Sequence, residues 1–240
     1  MERGFIGGIL QIIGAIVVIG VLVLGYLGFV PGLSDVMGAG PRDLGVRPTA
    51  SDAVSAMSKI GNTESPFTGT GGPIGSIKLE GSHAVDTYLT AEEITAAQNA
   101  RNYKYDPLKD VQVKINADNT VETSGRISIS KAKDYLAAIG IPQEDVDKAL
   151  SVAKDFPGEA SFYAKGKVSM ANNVLSTDLS EVKIGNIAVP KDQLSSAVLA
   201  SIASTIIAKN PGVNVEKFEI VGGKAHFVGT YPDRTYLAPN

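Results

Sequence analysis

Few residues of this chain have the types and spacing that catalysis or metal binding needs. The two histidines, His83 and His226, lie in different segments, and no cluster of acidic residues or histidines at metal-ligand spacing accompanies either. Cysteine is absent, which excludes thiolate metal sites, a Cys nucleophile, disulfides and Cys-linked lipids. We therefore expect surface or hydrogen-bonded histidines, and no metal, no cofactor and no enzymatic activity.

The charged residues that stand close together have structural explanations. Glu92 and Glu93 are adjacent, so on a helix they do not face each other, and Glu93 can cap the first turn. Lys165, Lys167 and Lys183 predict a solvated polar face of a hairpin, with contact to anionic lipid headgroups as the alternative. A net charge of −3 provides no basic surface for nucleic acid, which we exclude as a partner.

The strongest signal is a hydrophobic run from Phe5 to Val30, 26 residues without a charge. As a helix it would be about 39 Å long, enough to cross a ~30 Å hydrocarbon core with tilt. The alternative is a cleaved signal peptide, but its apolar region spans about 7–15 residues and ends at a small-residue cleavage site. We predict a single-pass transmembrane anchor over residues 1–33, with membrane lipid as a partner. The expected location is the plasma membrane, with the C-terminal domain outside the cytoplasm.

Small residues recur on one face of this predicted helix at spacings of three and four. Together with one polar side chain, this small-residue seam comprises Gly4, Gly7, Gln11, Gly14, Gly25 and Gly28. Such a face lets membrane helices approach closely, so we expect it to pack against a second copy or against another membrane protein. The alternative is the ordinary abundance of glycine in membrane helices.

Composition predicts a linker after the anchor and a loose end to the chain. Residues 34–73 are rich in Gly, Pro, Ser and Thr, which is typical of a tether. A short amphipathic helix over 49–60, opened by a capping box at Thr49, is expected inside it, and residues 62–73 are expected to be flexible. Residues 231–240 are expected to form a frayed tail.

Three hairpins are predicted within the remaining segment, residues 74–230. Their turns are expected at Asp118-Asn119, at Asn172-Asn173 and at Gly222-Gly223. In the second hairpin the alternation of apolar residues slips between Leu179 and Val182, which predicts a bulge.

Helices between these hairpins complete the predicted fold. The longest, residues 191–209, has a wide apolar arc. Because each hairpin has one apolar face to cover, we predict an α+β fold, a curved antiparallel sheet of hairpins wrapped on this long buried helix. The space between them is either a filled core or an open ligand groove. The groove residues would be Val113, Phe162, Val168, Leu194, Val198 and Ile202.

Four stretches of the chain carry recognisable motifs. Residues 89–99 match the pattern "lT-x-eElTa-x-x-N", and residues 111–125 form the first predicted hairpin. Residues 165–173 belong to the second predicted hairpin, and residues 182–190 match a "vG-x-i-x-vP" step into a long helix. In these stretches the chain resembles a group of bacterial membrane-anchored domains of unknown function with a tubular lipid-binding (TULIP-like) fold. No catalytic residues come with this resemblance, which implies a location in the cell envelope and binding of a lipid or another apolar molecule.

Two functions are therefore expected from the sequence. The first is a membrane-anchored, envelope-side binding domain for a lipid or another apolar ligand. The alternative is a non-enzymatic structural or assembly subunit that packs against other membrane proteins through its transmembrane helix.

Overall fold

A computed structural model of the protein describes residues 40–69, 72–144, 158–190 and 196–240. The described residues form an α+β structure with mostly antiparallel strands, which confirms the predicted fold class. The helices are α1 Ala50–Ile60, α2 Ala91–Asn99, α3 Ile129–Ala138 and α4 Ser196–Lys209. The strands are β1 Thr63–Pro66, β2 Ile77–Glu80, β3 His83–Leu89, β4 Leu108–Ile115, β5 Val121–Ser128, β6 Glu159–Ala171, β7 Val174–Ile184, β8 Ile187–Ala188, β9 Asn214–Val221, β10 Lys224–Tyr231 and β11 Arg234–Leu237.

Eight of these strands form one open sheet that forks at β6. The order is β3-β10-β9-β6-β5-β4, with β7 beside β6 and β8 beside β7. Residues 159–166 of β6 pair with β5, and residues 170–171 pair with β9. Since β7 occupies the other edge of β6, β5 and β9 share one edge and leave residues 167–169 between them. A separate small sheet has the order β1-β11-β2.

The three predicted hairpins are confirmed, and two of their turns have a pair of left-handed residues. Asn172 and Asn173 have φ of 48° and 64°, and Gly222 and Gly223 have φ of 58° and 73°. Two left-handed residues in a row give the turn whose twist matches that of the flanking strands. Asparagine and glycine tolerate this conformation better than other residues, so the turn positions could be recognised in the sequence.

The predicted bulge in the second hairpin is also confirmed. Leu179 pairs with Gly166 and Glu181 pairs with Lys165, which leaves Ser180 without a partner opposite it. A Cβ on Gly166 would collide with the backbone of Asp178, so only glycine fits beside the bulge.

Two capping boxes fix α1 and α2, as predicted. The Asp52 carboxylate accepts the Thr49 backbone N–H at 2.7 Å. The Glu93 carboxylate accepts the Thr90 backbone N–H at 2.9 Å, and Thr90 Oγ1 accepts the Glu93 N–H at 3.2 Å. Glu93 also forms a 2.6 Å ion pair with Lys59 of α1. The two helices are therefore joined through the residue that caps one of them.

The α4 helix covers the sheet with one face only. Leu199, Ala203, Ile206 and Ile207 are buried, and the helix packs on β7. Ser201 and Ser204 are exposed, away from this stripe. The part of the predicted long helix that the structure describes is thus buried along a stripe rather than enclosed by the sheet.

The prediction of a frayed tail over residues 231–240 is wrong. The β11 strand lies between β1 and β2, and Leu237 is 1% exposed. The β1 strand lies within the supposedly flexible residues 62–73, so that prediction is wrong for β1, and the fold begins before residue 74. Pairing of Thr63 with Arg234 joins segments far apart in the sequence, and such pairing leaves no local pattern in either segment.

No helix among the described residues is long and apolar enough to cross a membrane. The predicted anchor over residues 1–33 and its small-residue seam lie outside the described residues. The sequence also predicts a helix over residues 144–156, and most of it lies outside them too.

Replacement of Leu237 by alanine tests whether the C-terminal strand is part of the core. We expect Leu237→Ala to lower the free energy of unfolding by about 2–5 kcal/mol, because it leaves a cavity at a fully buried position. Val221→Ala, at a valine that is 42% exposed, is the matched control and should change it little. Urea denaturation of the full chain measures both, and equal effects of the two variants would show that the tail is not packed.

Candidate functional site

A cavity of about 510 Å³ opens where α2, β4 and residues 100–107 meet. Residues 40–48, which we call the strap, form part of its wall through Val46 and Pro48, and Lys131 of α3 and Asn240 complete it. Most of its lining side chains are polar. Its volume lies in the range of about 300–1,000 Å³ that is typical of small-molecule sites.

The α2 helix takes the place of a further strand beside β4. Thr95 Oγ1 accepts the backbone N–H of Val113 at 2.9 Å. Asn99 accepts the N–H of Val111 at 3.0 Å and donates to its carbonyl at 2.7 Å. Edge strands need such cover, because unpaired backbone groups attract other chains. These bonds hold α2 against β4 and fix one wall of the cavity.

The strap is fixed to the same strand. Gln112 of β4 accepts the backbone N–H of Leu44 at 2.9 Å. Leu44 and Val46 are buried in a small cluster with Tyr163, and the guanidinium of Arg42 lies 4.6 Å from the centre of the Tyr163 ring. The strap thus covers the sheet and ends at the cavity.

A bulge in β4 shapes the mouth of the cavity. Beyond Lys109 the pairing with β5 shifts register, and Asp110 has a left-handed φ of 51°. Gly125 lies across from the bulge, and a Cβ there would lie 3.0 Å from the Lys109 carbonyl oxygen. The two charged residues of the bulge, Lys109 and Asp110, are exposed. Lys109 pairs with Glu159 at 2.5 Å, and Asp110 pairs with Arg126 at 3.5 Å.

A buried guanidinium forms part of the inner wall. The side chain of Arg101 is 1% exposed, and its Nε lies 3.3 Å from Oδ2 of Asp106. Its guanidinium carbon lies 5.9 Å from the centre of the Tyr135 ring. Burial raises the pKa of Asp106, and the attraction of Arg101 opposes this effect. Because removing one partner of such a buried pair costs about 3–5 kcal/mol, Arg101 is a structural charge as well as a lining group.

Two buried tyrosines support this guanidinium. The rings of Tyr103 and Tyr135 are 6.4 Å apart in an edge-to-face arrangement, and the Tyr103 hydroxyl lies 2.7 Å from Oγ of Ser76. Burial raises the pKa of Tyr135 to about 12 and also raises that of Tyr103. Both hydroxyls therefore stay protonated near neutral pH and serve as hydrogen-bonding groups rather than bases.

One carboxyl group that interacts electrostatically with Arg101 has a raised pKa. Burial raises the pKa of Glu64, on β1, from 4.5 to about 7, and the attraction of Arg101 opposes this rise. Glu64 is thus about half protonated near neutral pH.

Gln98 is the residue of this cavity whose hydrogen bonding is incomplete. It lies on α2, one turn beyond Thr95, and is 5% exposed. Its Nε2 has no hydrogen-bond partner within the described part of the chain. A buried amide donor without a partner costs about 1–3 kcal/mol. An acceptor oxygen placed in the cavity would remove this cost.

The cavity wall holds the carboxylates of Asp106 and Asp110, which are paired with Arg101 and Arg126, together with groups that donate hydrogen bonds or carry positive charge. Besides Gln98 and Arg101, the half-buried Lys131 lines the wall and makes no hydrogen bond or ion pair with any described residue. Within the described ranges, no group of three His, Asp or Glu side chains could hold a metal ion.

The predicted groove residues lie elsewhere. Val113 and Phe162 are fully buried in the hydrophobic core. Val168 is half-buried beside a second cavity of about 340 Å³, at the fork of the sheet. Leu194 and the side chains of Val198 and Ile202 lie outside the described residues. The groove residues that the structure describes thus do not line the cavity between α2 and β4.

Both histidines have hydrogen-bonding partners, as expected. His83, placed in a turn by the sequence, is the first residue of β3, and its ring nitrogens lie 2.7 Å from the Ile60 carbonyl and from Asp233. His226 lies 2.8 Å from Asp86 and stacks on Tyr88 at 4.1 Å.

Lysines of the second hairpin lie on its polar face. Lys183 pairs with Glu181 at 2.7 Å, and Lys165 lies 3.8 Å from Glu122. Lys167 is exposed at the smaller cavity.

Gln98, Arg101 and Lys131 did not emerge from the sequence as candidates. Arg101 stands between a capped helix and the aromatic residues Tyr103 and Tyr105, and a cation in such surroundings is the one local signal available. Nothing near Gln98 or Lys131 in the sequence distinguishes either from a surface residue.

Comparison of the chain with protein-family models, with curated proteins and with solved structures finds no significant match. The resemblance to TULIP-like domains therefore stays a prediction.

Substitution of Gln98 tests whether its amide is held without a partner in the free protein. We expect Gln98→Leu to raise the free energy of unfolding by about 1 kcal/mol, because it removes a buried donor that nothing satisfies. Gln112→Leu is the control on the same wall, and it should lower stability by a similar amount because the Leu44 N–H loses its acceptor. Urea denaturation measures both, and destabilisation by Gln98→Leu would contradict this reading of the site.

The raised pKa of Glu64 predicts a pH dependence of stability. Between pH 4.5 and 7 the unfolded chain ionises Glu64 while the folded chain keeps it protonated, so stability falls as the pH rises through this interval. Glu64→Gln should reduce the decline in melting temperature between pH 5 and about 7.5, whereas Glu216→Gln, at an exposed carboxylate, should not. Identical pH profiles for wild type and Glu64→Gln would refute the prediction.

Proposed function

We propose that this chain is a non-enzymatic binding domain held at a membrane, and that a small polar ligand occupies the cavity between α2 and β4. The buried, unpartnered amide of Gln98 is the observation that carries the proposal. Folded proteins rarely leave such a donor unsatisfied, and a functional site is a common reason when they do.

The surroundings of Gln98 support a binding role. Its helix is fixed by Thr95 and Asn99 against β4, so the amide is held in place before any ligand arrives. The cavity receives lining groups from α2, β4, α3 and the strap. Sites built on rigid elements bind without a large ordering cost.

The sequence supports a tether at the membrane. The uncharged run from Phe5 to Val30 has the length of a membrane-spanning helix, and the strap begins ten residues after it. We propose a single-pass anchor in the plasma membrane, with the described domain outside the cytoplasm.

Two expectations from the sequence remain predictions beside this proposal. One is a lipid or apolar ligand in a groove of a TULIP-like domain, and the predicted groove residue Val168 lies half-buried beside a cavity at the fork of the sheet. The other is an assembly subunit, which the small-residue seam favours.

The proposal is tested by the small molecules that the protein carries. The full chain is purified from its membrane in detergent and denatured, and the released compounds are analysed by mass spectrometry. We expect a compound from the wild type that Gln98→Leu loses at least tenfold, because the variant cannot donate to it. Val221→Ala, at an exposed valine, should retain it. Equal amounts from wild type and Gln98→Leu, or nothing beyond a buffer blank, would overturn the proposal.

A further inference from the structure

We propose that the ligand of this cavity carries an anionic oxygen group, a phosphate or a carboxylate, held between the Gln98 amide and the Lys131 ammonium. This inference rests on the proposed function and specifies the chemical class of the ligand.

The charges around the cavity leave one cation without a partner. Three pairs near it each join a cation to a carboxylate at 3.5 Å or less. They are Arg101–Asp106, Lys109–Glu159 and Asp110–Arg126. Lys131 lines the same cavity and makes no ion pair with a described residue. One positive charge of the wall is therefore unmatched.

The two free groups have the same requirement. The Nε2 of Gln98 and the Nζ of Lys131 are both donors, so each needs an acceptor. A hydrogen bond to an ionised oxygen is roughly twice as strong as one between neutral groups. Lys131 is half-buried, so its attraction for an anion is screened less than that of an exposed lysine. A phosphate or carboxylate that reaches both groups would satisfy both donors and the charge, whereas a neutral acceptor would satisfy only the donors.

The anionic group can come from a soluble metabolite or from a lipid headgroup. Val46 of the cavity wall lies 16 residues beyond Val30, the end of the hydrophobic run. An extended chain of that length spans at most about 55 Å, so the cavity can lie at the membrane surface or away from it. Both sources offer the same oxygen chemistry, and an experiment can distinguish them.

The test measures the melting temperature of the full chain in nanodiscs. In discs of neutral phosphatidylcholine, glycerol 3-phosphate is titrated as the soluble probe, with glycerol at equal concentration as the uncharged control. In discs that contain phosphatidylglycerol, no soluble probe is added. We expect glycerol 3-phosphate to raise the melting temperature in neutral discs if the source is soluble, or anionic discs to raise it if the source is a lipid.

The role of Lys131 can be tested by removing its charge and then restoring it. Because the chain has no cysteine, a cysteine introduced at position 131 is the only thiol and can be alkylated selectively. Lys131→Cys should weaken the response to the effective probe at least tenfold, and alkylation with 2-bromoethylamine, which rebuilds a lysine-like amine, should restore it. Lys224→Cys, at an exposed lysine of β10, is the control and should respond like the wild type throughout.

The outcomes separate the inference from the function on which it rests. A response that Lys131→Cys loses and alkylation restores supports the anionic ligand. A response to glycerol equal to that of glycerol 3-phosphate, or an unchanged response in Lys131→Cys, overturns it while leaving a site that depends on Gln98. The absence of a response to both anionic sources also overturns the anionic ligand. The proposed function is then tested separately, by the compound that the purified protein releases.

Discussion

The bonds between the side chains of α2 and the outer edge of β4 determine where the other parts of the site can lie. A sheet edge exposes backbone donors and acceptors that must be satisfied, and here Thr95 and Asn99 take the place of a neighbouring strand. A helix can bond to a strand over a short length only, because the side chains of one helical face reach the strand and those of the other faces do not. Beyond Asn99 the helix ends while β4 continues through its bulge, and the cavity occupies the space where they separate.

The inner wall of that space depends on a charge buried among aromatic rings. Arg101 is held by Asp106 and by the Tyr135 ring, and its field reaches Glu64 on β1. The C-terminal strand β11 pairs with β1, so the small sheet and the wall of the cavity are parts of one arrangement. A segment expected to be loose thus contributes the buried residues Thr235 and Leu237 to this arrangement.

The parts of the fold that the sequence predicts are those with local causes. The turn at Asn172-Asn173, the bulge at Ser180 and the cap at Thr90 each follow from the preferences of a few neighbouring residues. The pairing of β1 with β11 joins residues from opposite ends of the described chain, and no local pattern encodes it. The cavity cannot be predicted from the sequence for a similar reason, because a glutamine on a capped helix has the same local pattern as an ordinary surface residue. Only the placement of Gln98 against β4, with no group to receive its amide hydrogens, makes it distinctive.

An experimental electron-density map of the cavity, from the protein as purified, tests the central claim most directly. We expect density too large for water within hydrogen-bonding distance of Gln98 Nε2, continuing to Lys131 Nζ. A Gln98 side chain turned onto a protein acceptor, or a cavity that holds only ordered water bonded to that amide, would contradict it.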